Sequence, residues 1–302
     1  MPSGLRSAKL RSSGSRAAYN HTRDSPQYGM STLIKADFAC RLCGGRQLYL
    51  YHSMGSDGRY RYFRCPRCTL VNYDLSTGLE QEHFDEPDKD PTDDRNPWNK
   101  DKDASFAFVS RYVKPPGRLL DIGCGNGRLM YVARRAGWNV KGLELSRVMA
   151  KVVRERLGAP VVVADFLAVD PGAIDAERFD LISLRHVLEH LPDCVAAMRK
   201  LNSLLKPTGH LLIEIPNVES ISKRLKRLLT DLGLRKPEYP ETMAIGHANE
   251  FCRRSFDFLL AKTGFELVRW ETYSRRPISN FFYNHVHVGS NARALLQKIS
   301  SA

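Results

Sequence analysis

Leu119-Leu120-Asp121-Ile122-Gly123-Cys124-Gly125-Asn126-Gly127 is the stretch on which the fold turns. An apolar run ends in an acid and passes straight into three glycines at alternate positions. Glycine lets the backbone turn sharply and lets a ligand come close, and the N-terminus of the following helix then faces that ligand. A dinucleotide-binding loop reads Gly-x-Gly-x-x-Gly after its strand. Here the spacing is Gly-x-Gly-x-Gly, with an acid two residues ahead of it.

Outward from this loop the chain alternates. Strand signals fall at 118–123, 139–145, 161–165, 179–185 and 210–216, with helical stretches at 127–136, 147–157 and 194–205 between them. Such alternation predicts a parallel sheet with helices on both faces. A helix over 104–113 precedes it, with Phe106, Val109 and Val113 on one side, and another follows near 254–263. Strand candidates at 265–273 and 281–288, joined through Ser274–Ser279, are too close for a crossover and must pair antiparallel.

Two further acids stand at strand ends. Glu144 closes the second strand about 20 residues past the loop, where doubly wound nucleotide folds set an acid against ribose hydroxyls. Asp165 closes the third, in position to accept from an adenine amino group. One such acid would read as a helix cap or a surface residue. Three in one register point to a ligand.

Residues 118–290 resemble the class I S-adenosylmethionine-dependent methyltransferases, in the broad branch of ubiquinone- and menaquinone-pathway and small-molecule enzymes. The matching residues are Leu120–Gly127, Glu144, Asp165-Phe166, Phe179-Asp180-Leu181-Ile182, and His186-Val187-Leu188-Glu189-His190-Leu191-Pro192-Asp193. They continue with Leu205-Lys206-Pro207-x-Gly209, Leu211–Asn217, His247-x-x-x-Phe251 and Gly264-Phe265-Glu266. The resemblance implies a Rossmann-like α/β fold with a seven-stranded sheet whose last strand is antiparallel, and S-adenosylmethionine as cofactor. It assigns Asp121, Gly123 and Gly125 to the methionine side, with Cys124 in the same loop, and Glu144 to the ribose, with Leu145 next to it. Asp165 and Phe166 would flank the adenine. Arg185 and His186 would face the methyl group or the amino-acid end.

Methyl transfer from a sulfonium is an in-line displacement, so holding the acceptor in near-attack geometry supplies much of the catalysis. A base is needed only where the acceptor must lose a proton. His186, Glu189, His190 and His247 are the candidates. His186 and His190, four apart, share one side if that segment is helical. Glu189 between them does not follow the zinc-protease order. His190, beside the helix-start signal Pro192-Asp193, reads more as a structural residue. The stretch Ser183-Leu184-Arg185-His186 lacks the Asn/Asp-Pro-Pro-Tyr sequence common in enzymes that methylate exocyclic amines of bases. No cysteine sits in a Pro-Cys pair suited to cytosine C5 chemistry.

Ahead of the glycine loop, Cys40-x-x-Cys43 and Cys65-x-x-Cys68 are separated by 21 residues. Two such knuckles can place four thiolates around a tetrahedral Zn²⁺ with no open position, a structural site. Strand-forming residues at Gln47–Tyr51 and Tyr60–Phe63 predict a hairpin between the knuckles. The unit resembles the N-terminal zinc-binding segments of bacterial methyltransferases from sugar, polysaccharide and secondary-metabolite pathways.

The 302 residues divide, on this reading, into a disordered basic tail (1–36), a zinc ribbon (37–78), an acidic linker (79–103) and a methyltransferase domain (104–302) with a substrate-lid insertion at 217–249. The net charge of +13 is uneven: 1–36 hold six Lys/Arg against one Asp, and 80–103 hold ten acids against four bases. Ile221, Leu225, Leu228, Leu229 and Leu232 recur at helical spacing among Lys223, Arg224, Lys226 and Arg227. They form an amphipathic helix that either packs on the domain or, across 221–236, touches a membrane surface. No run of eighteen apolar residues and no secretory leader is present, so the expected place is the cytoplasm, up to the inner face of the membrane. The expected function is methyl transfer to a small-molecule or lipid-linked acceptor, foremost an oxygen of a sugar, lipid-linked glycan or metabolite. An RNA methyltransferase using the ribbon and basic patches, and a non-catalytic S-adenosylmethionine-binding protein, are the alternatives.

Overall fold

The computed structural model describes residues 34–54, 58–79, 85, 89–234, 246–274 and 288–299. Of the sequence expectations, the tail to residue 33, the strand candidate over 281–287 and positions 235–245 of the lid lie outside these residues.

The hairpin between the cysteine pairs forms as β1 (Tyr49–Met54) and β2 (Tyr60–Arg64), and β3 (Val71–Tyr73) adds to it antiparallel. Next comes α1 (Pro97–Val109), which starts seven residues earlier than its apolar periodicity predicts. The reason is a cap: the Asn96 side chain accepts a hydrogen bond from Trp98 N at 3.0 Å, and Pro97 occupies the first helical position, where its missing N–H costs nothing. Residues 97–103, expected as linker, are therefore helix.

Strands and helices then alternate: β4 (Gly117–Ile122), α2 (Arg128–Arg135), β5 (Trp138–Glu144), α3 (Arg147–Leu157), β6 (Val161–Val163), α4 (Pro171–Ile174), β7 (Phe179–Arg185), α5 (Cys194–Leu204) and β8 (Leu205–Pro216). Polar caps set several of the starts. Ser146 accepts from Met149 N before α3, and Asp193 accepts from Ala196 N before α5. The chain continues through α6 (Ile221–Asp231), β9 (Asn249–Glu250), α7 (Arg253–Leu260), β10 (Phe265–Tyr273) and β11 (Asn291–Lys298). The last strand thus lies ten residues beyond the run that predicted it, in Asn291-Ala292-Arg293-Ala294-Leu295-Leu296.

Seven strands make one sheet in the order β10-β11-β8-β7-β4-β5-β6. β4 through β8 pair parallel, and β11 lies antiparallel between β8 and β10. Alternate side chains on each strand feed opposite faces. Leu181 and Leu212 join the cluster under α1, α2 and α3, whereas Ile182, Leu184, Leu211 and Ile213 join the one under α5 and α7. The strand order reverses at β4, which has β5 on one side and β7 on the other. In doubly wound sheets such a reversal marks the ligand crevice, at the carboxyl ends of the strands.

The ribbon is built into this frame. Its sheet runs β1-β2-β3-β9, so its fourth strand comes from far along the chain. Leu42, Leu48, Phe63 and Leu70 lie in the same apolar cluster as Ile182, Met198 and Phe256. Arg41, inside the first knuckle, donates to Asn249 Oδ1 (3.2 Å), to Tyr73 O (2.9 Å) and to Ala248 O.

Residues 89–103 strap across the start of α2. Arg128, almost fully buried, donates to Asp103 (2.6 and 2.7 Å), Asp94 (2.8 Å) and Pro91 O (2.8 Å). Arg128→Ala is expected to cost about 2 kcal/mol through these lost charge-assisted bonds. Limited proteolysis of the variant should cut first within 89–96, and thermal melting reads the stability. A wild-type digestion pattern would show that the strap is held by other contacts.

Candidate active site

At the crevice the glycine loop turns between β4 and α2. Gly123 and Gly125 both adopt left-handed backbone, with φ of +67° and +53°. A Cβ at Gly123 would fall 2.5 Å from Val187 Cγ2, so the loop and the turn after β7 pack with no room for a side chain. A Cβ at Gly125 would meet nothing within 4 Å, which leaves that side open for a ligand to lie against backbone. Gly123 N and Cys124 N both donate to Leu143 O, at 2.8 and 3.3 Å.

Glu144 locks this loop. One carboxylate oxygen accepts from Gly125 N at 2.8 Å and the other from Ser146 N at 3.0 Å. A carboxylate has about four acceptor positions, so two backbone donors leave capacity for ligand hydroxyls. Asp121, at the end of β4, is buried and takes a hydrogen bond from the Ser183 hydroxyl. Burial pushes its carboxyl up to about 6, against the pull of that bond and of Arg185. Asp165 is exposed and accepts from Leu167 N at 2.7 Å, and Leu145 is exposed beside Glu144.

Besides Asp121, two residues of the expected cofactor set have buried side chains. Phe166 is 4% exposed and belongs to the core. The Cys124 side chain also packs inward, under β5, where a Cβ on Gly142 would touch its sulfur at 2.9 Å. Burial and the nearby carboxylates of Asp121 and Glu144 push that thiol up.

At the end of β7, Arg185 donates to Glu214 at 2.7 Å. Glu214 is fully buried in β8 and also takes bonds from Arg293 and from the Ser105 hydroxyl (2.7 Å). Burial alone would raise its carboxyl, but Arg185 and Arg293 outweigh that and hold it at about 2. Arg293 is also 4.4 Å from the Tyr273 ring centre. Sequence reading missed Ser105, Glu214 and Arg293. A lone acid in Leu211-Leu212-Ile213-Glu214-Ile215 and a lone base among the apolar residues of β11 were the available signals, since each charge in a buried strand requires a partner.

His186 follows in left-handed backbone (φ +52°), tied through its N–H to Glu214 O at 2.8 Å, with its side chain 40% exposed. Its Nδ1 lies 3.3 Å from a Glu189 oxygen. Glu189 is 1% exposed, and its other oxygen has no hydrogen-bond partner among the described residues. Burial raises this carboxyl, yet the His186 bond and the three neighbouring histidines outweigh it and hold it below the usual carboxylate range. His190 Nδ1 is 2.6 Å from Gly246 O, and its ring meets His247 edge-on at 4.9 Å. Burial lowers the His247 imidazole, with Glu189 opposing. Ligand atoms of Glu189, His190 and His247 fall within 4.8 Å of one another, close enough to share a cation. His186 and His190 do not stack on one helix face as their spacing suggested. The segment is a single 3₁₀ turn, Leu188–His190.

In the ribbon the four sulfurs of Cys40, Cys43, Cys65 and Cys68 also lie within 4.8 Å of one another, with Cys40–Cys68 and Cys43–Cys65 at 3.5 Å. None is in a disulfide. The edges are near the about 3.8 Å of a tetrahedron with 2.3 Å zinc–sulfur bonds.

A family model described as a methyltransferase domain matches residues 99–269. The chain belongs to that family. Its seven-stranded sheet with an antiparallel last strand, β11, is what the sequence resemblance implied. The ubiquinone biosynthesis O-methyltransferase of Ralstonia nicotianae is 31% identical over 126 residues, 40% of this chain and 53% of that protein. The enzyme of the same description from Xanthomonas axonopodis pv. citri is 36% identical over 114 residues, 36% of this chain and 48% of that protein. The chain thus spans about half the length of the curated relatives it matches. Among solved structures, the PH0226 protein of Pyrococcus horikoshii superposes with a TM-score of 0.49 at 17% identity, covering 70% of this chain and 94% of that one.

Replacing Glu214 by Gln leaves Arg185 and Arg293 as buried cations without a counter-charge, so the methyltransferase domain should lose about 3–5 kcal/mol. The pH dependence follows from the depressed carboxyl. Its stabilisation is fully present above the ordinary value of 4.5 and is lost as pH falls toward about 2. Urea melts between pH 7 and pH 3 should show a decline in wild type that is shallower in Glu214→Gln. Parallel declines would refute the role assigned to the ion triad.

Proposed function

We propose that this chain transfers a methyl group from S-adenosylmethionine to an oxygen of a small-molecule acceptor. The observation that carries the reading is the glycine loop itself: left-handed at Gly125, open on that side, and fixed by Glu144 at the carboxyl edge of a methyltransferase-type sheet. The remaining acceptor positions of Glu144 suit ribose hydroxyls. Asp165 and Leu145 suit the adenine, in place of the buried Phe166. Asp121, Gly123 and Arg185 suit the amino-acid end, and Cys124 contributes through its backbone alone. When bound, the cofactor supplies an electrophilic methyl group on a sulfonium.

His186 is the base in this reading. Its half-exposed ring takes the acceptor hydroxyl proton as the oxygen–methyl bond forms and the sulfur–methyl bond breaks. Glu189, buried behind it, stabilises the resulting imidazolium. His190 and His247 are held in place by Gly246 and by each other, and they wall the acceptor side. The similarity to ubiquinone biosynthesis O-methyltransferases favours an oxygen acceptor, and it leaves sugars, lipid-linked glycans and other metabolites as candidates.

The test is incubation with methyl-labelled S-adenosylmethionine and fractionated cell extract. Label should appear in small-molecule or lipid pools. His186→Ala should cut turnover about 10²–10⁴-fold while leaving S-adenosylmethionine affinity nearly intact. Nuclease-sensitive label would replace this reading with an RNA methyltransferase, and absence of label with intact binding would leave a cofactor-binding protein.

For the four cysteines we propose one structural Zn²⁺. The sulfur spacing, the absence of disulfides and the N–H of Gly45 at 3.4 Å from Cys43 Sγ support it. Elemental analysis should find one zinc per chain, lost in a Cys40→Ser/Cys65→Ser variant. A metal-free chain that melts like wild type would exclude the site.

A further inference from the structure

Helix α6 presents the wrong face to water. Ile221, Leu225, Leu228 and Leu232 recur at spacings of four, three and four, which places them in one row along the helix. They are 51%, 53%, 53% and 61% exposed. The opposite, cationic face is the one that meets the protein. Lys223 pairs with Glu250 at 3.2 Å, and Arg227 stacks 3.6 Å from the Tyr51 ring centre on the ribbon. A soluble amphipathic helix does the reverse, burying its leucines and solvating its lysines. Here the ribbon and β9 hold the polar side, and the apolar row is left without a partner among the described residues.

We propose that this row is a docking surface for an anionic lipid bilayer, with α6 lying in the plane of the interface. Charge selects that occupant. Arg224 is exposed beside the row and Lys226 is exposed on the same helix, while Glu219 is paired with Arg64 and Arg224, and Glu250 with Lys223. A cationic rim around an aliphatic row matches acidic headgroups over acyl chains. A second copy fits poorly. Four aliphatic side chains on an eleven-residue helix and its C-cap cannot supply the ~800 Å² per partner of a standard interface, and two cationic rims repel. Single-stranded nucleic acid fits poorly too, because leucines offer no stacking platform for bases.

The helix is anchored close to the histidine cluster. α6 follows β8 directly, and Lys223 reaches Glu250, three residues from His247. On a bilayer the acceptor side would therefore open toward lipid, and an acceptor carried in the membrane would enter without crossing water. That last step rests on the methyl transfer proposed above; the docking itself does not.

Sedimentation of the full chain with vesicles tests it, using phosphatidylcholine alone and phosphatidylcholine mixed with phosphatidylglycerol, at low and high salt. The chain should pellet with the mixed vesicles, less so at high salt. The double substitution Leu225→Ser and Leu228→Ser should lower partitioning about tenfold or more. Both sites are exposed, so circular dichroism and S-adenosylmethionine binding should stay as in wild type. Absence of pelleting with mixed vesicles, or equal pelleting of the double variant, overturns the proposal. So does a dimer in solution that the same substitutions dissociate, or retention by single-stranded RNA without vesicle binding. Loss of vesicle binding with methyl transfer intact would remove the surface and leave the enzymatic reading standing.

Discussion

Three charges meet beneath the crevice, and the geometry above them depends on their balance. Glu214 has no exposed surface, and it survives as a carboxylate because Arg185 and Arg293 flank it and Ser105 donates to it. These partners come from β7, β11 and α1, so one buried ion group pins the centre of the sheet to its antiparallel strand and to the first helix. A buried ion pair is a weak source of stability in itself, since desolvation offsets much of the attraction. Its value lies in exclusivity. Any register that displaced β11 would strand a charge in the core, so the group selects one arrangement over its competitors. The backbone of Glu214 does a second task, accepting from His186 N and holding that residue in its left-handed turn at the crevice edge.

On the other side of β4, carboxylates act in a similar way with backbone partners. Glu144 ties Gly125 to the start of α3, and Asp121 is held by Ser183 from the neighbouring strand. The loop is therefore rigid before any ligand arrives, which lowers the ordering cost of binding. Rigidity is extended outward by the strap over 89–103, whose Asn99 and Lys89 carbonyl both meet Asn126 of the loop.

The ribbon does not behave as a separate bead. β9 completes its sheet, Arg41 from the first knuckle clasps Ala248 and Asn249, and Asn249 in turn donates to Leu191 O at 2.8 Å. His247 stands one residue before this clasp and His190 one residue before Leu191. The cysteine knuckle thus acts as a foundation for the histidine cluster, and Lys223 and Arg227 tie α6 to the ribbon's sheet. No described helix is long and apolar enough to cross a membrane.

The sequence by itself determined the parallel core. Apolar runs of strand length, the Gly-x-Gly-x-Gly turn and the caps at Ser146 and Asp193 are local signals, and β5, β7 and the helix at 147–157 formed within a residue of where they were expected. The cysteine spacing likewise announced the four-sulfur cluster, because two short knuckles need only a hairpin to meet. What the tertiary structure decided is whatever depends on partners distant in the chain. β9 is two residues long and exists only because β3 offers an edge. β11 carries a polar residue at each end and an arginine within, so its place is set by Glu214 and β8 rather than by its own pattern. Phe166 and Cys124 stand beside the ligand acids by position, and the burial of their side chains was decided by core packing around them. The same holds for α6: its periodicity was plain in the sequence, yet which side met water depended on Glu250 and Tyr51, residues that no local pattern links to it.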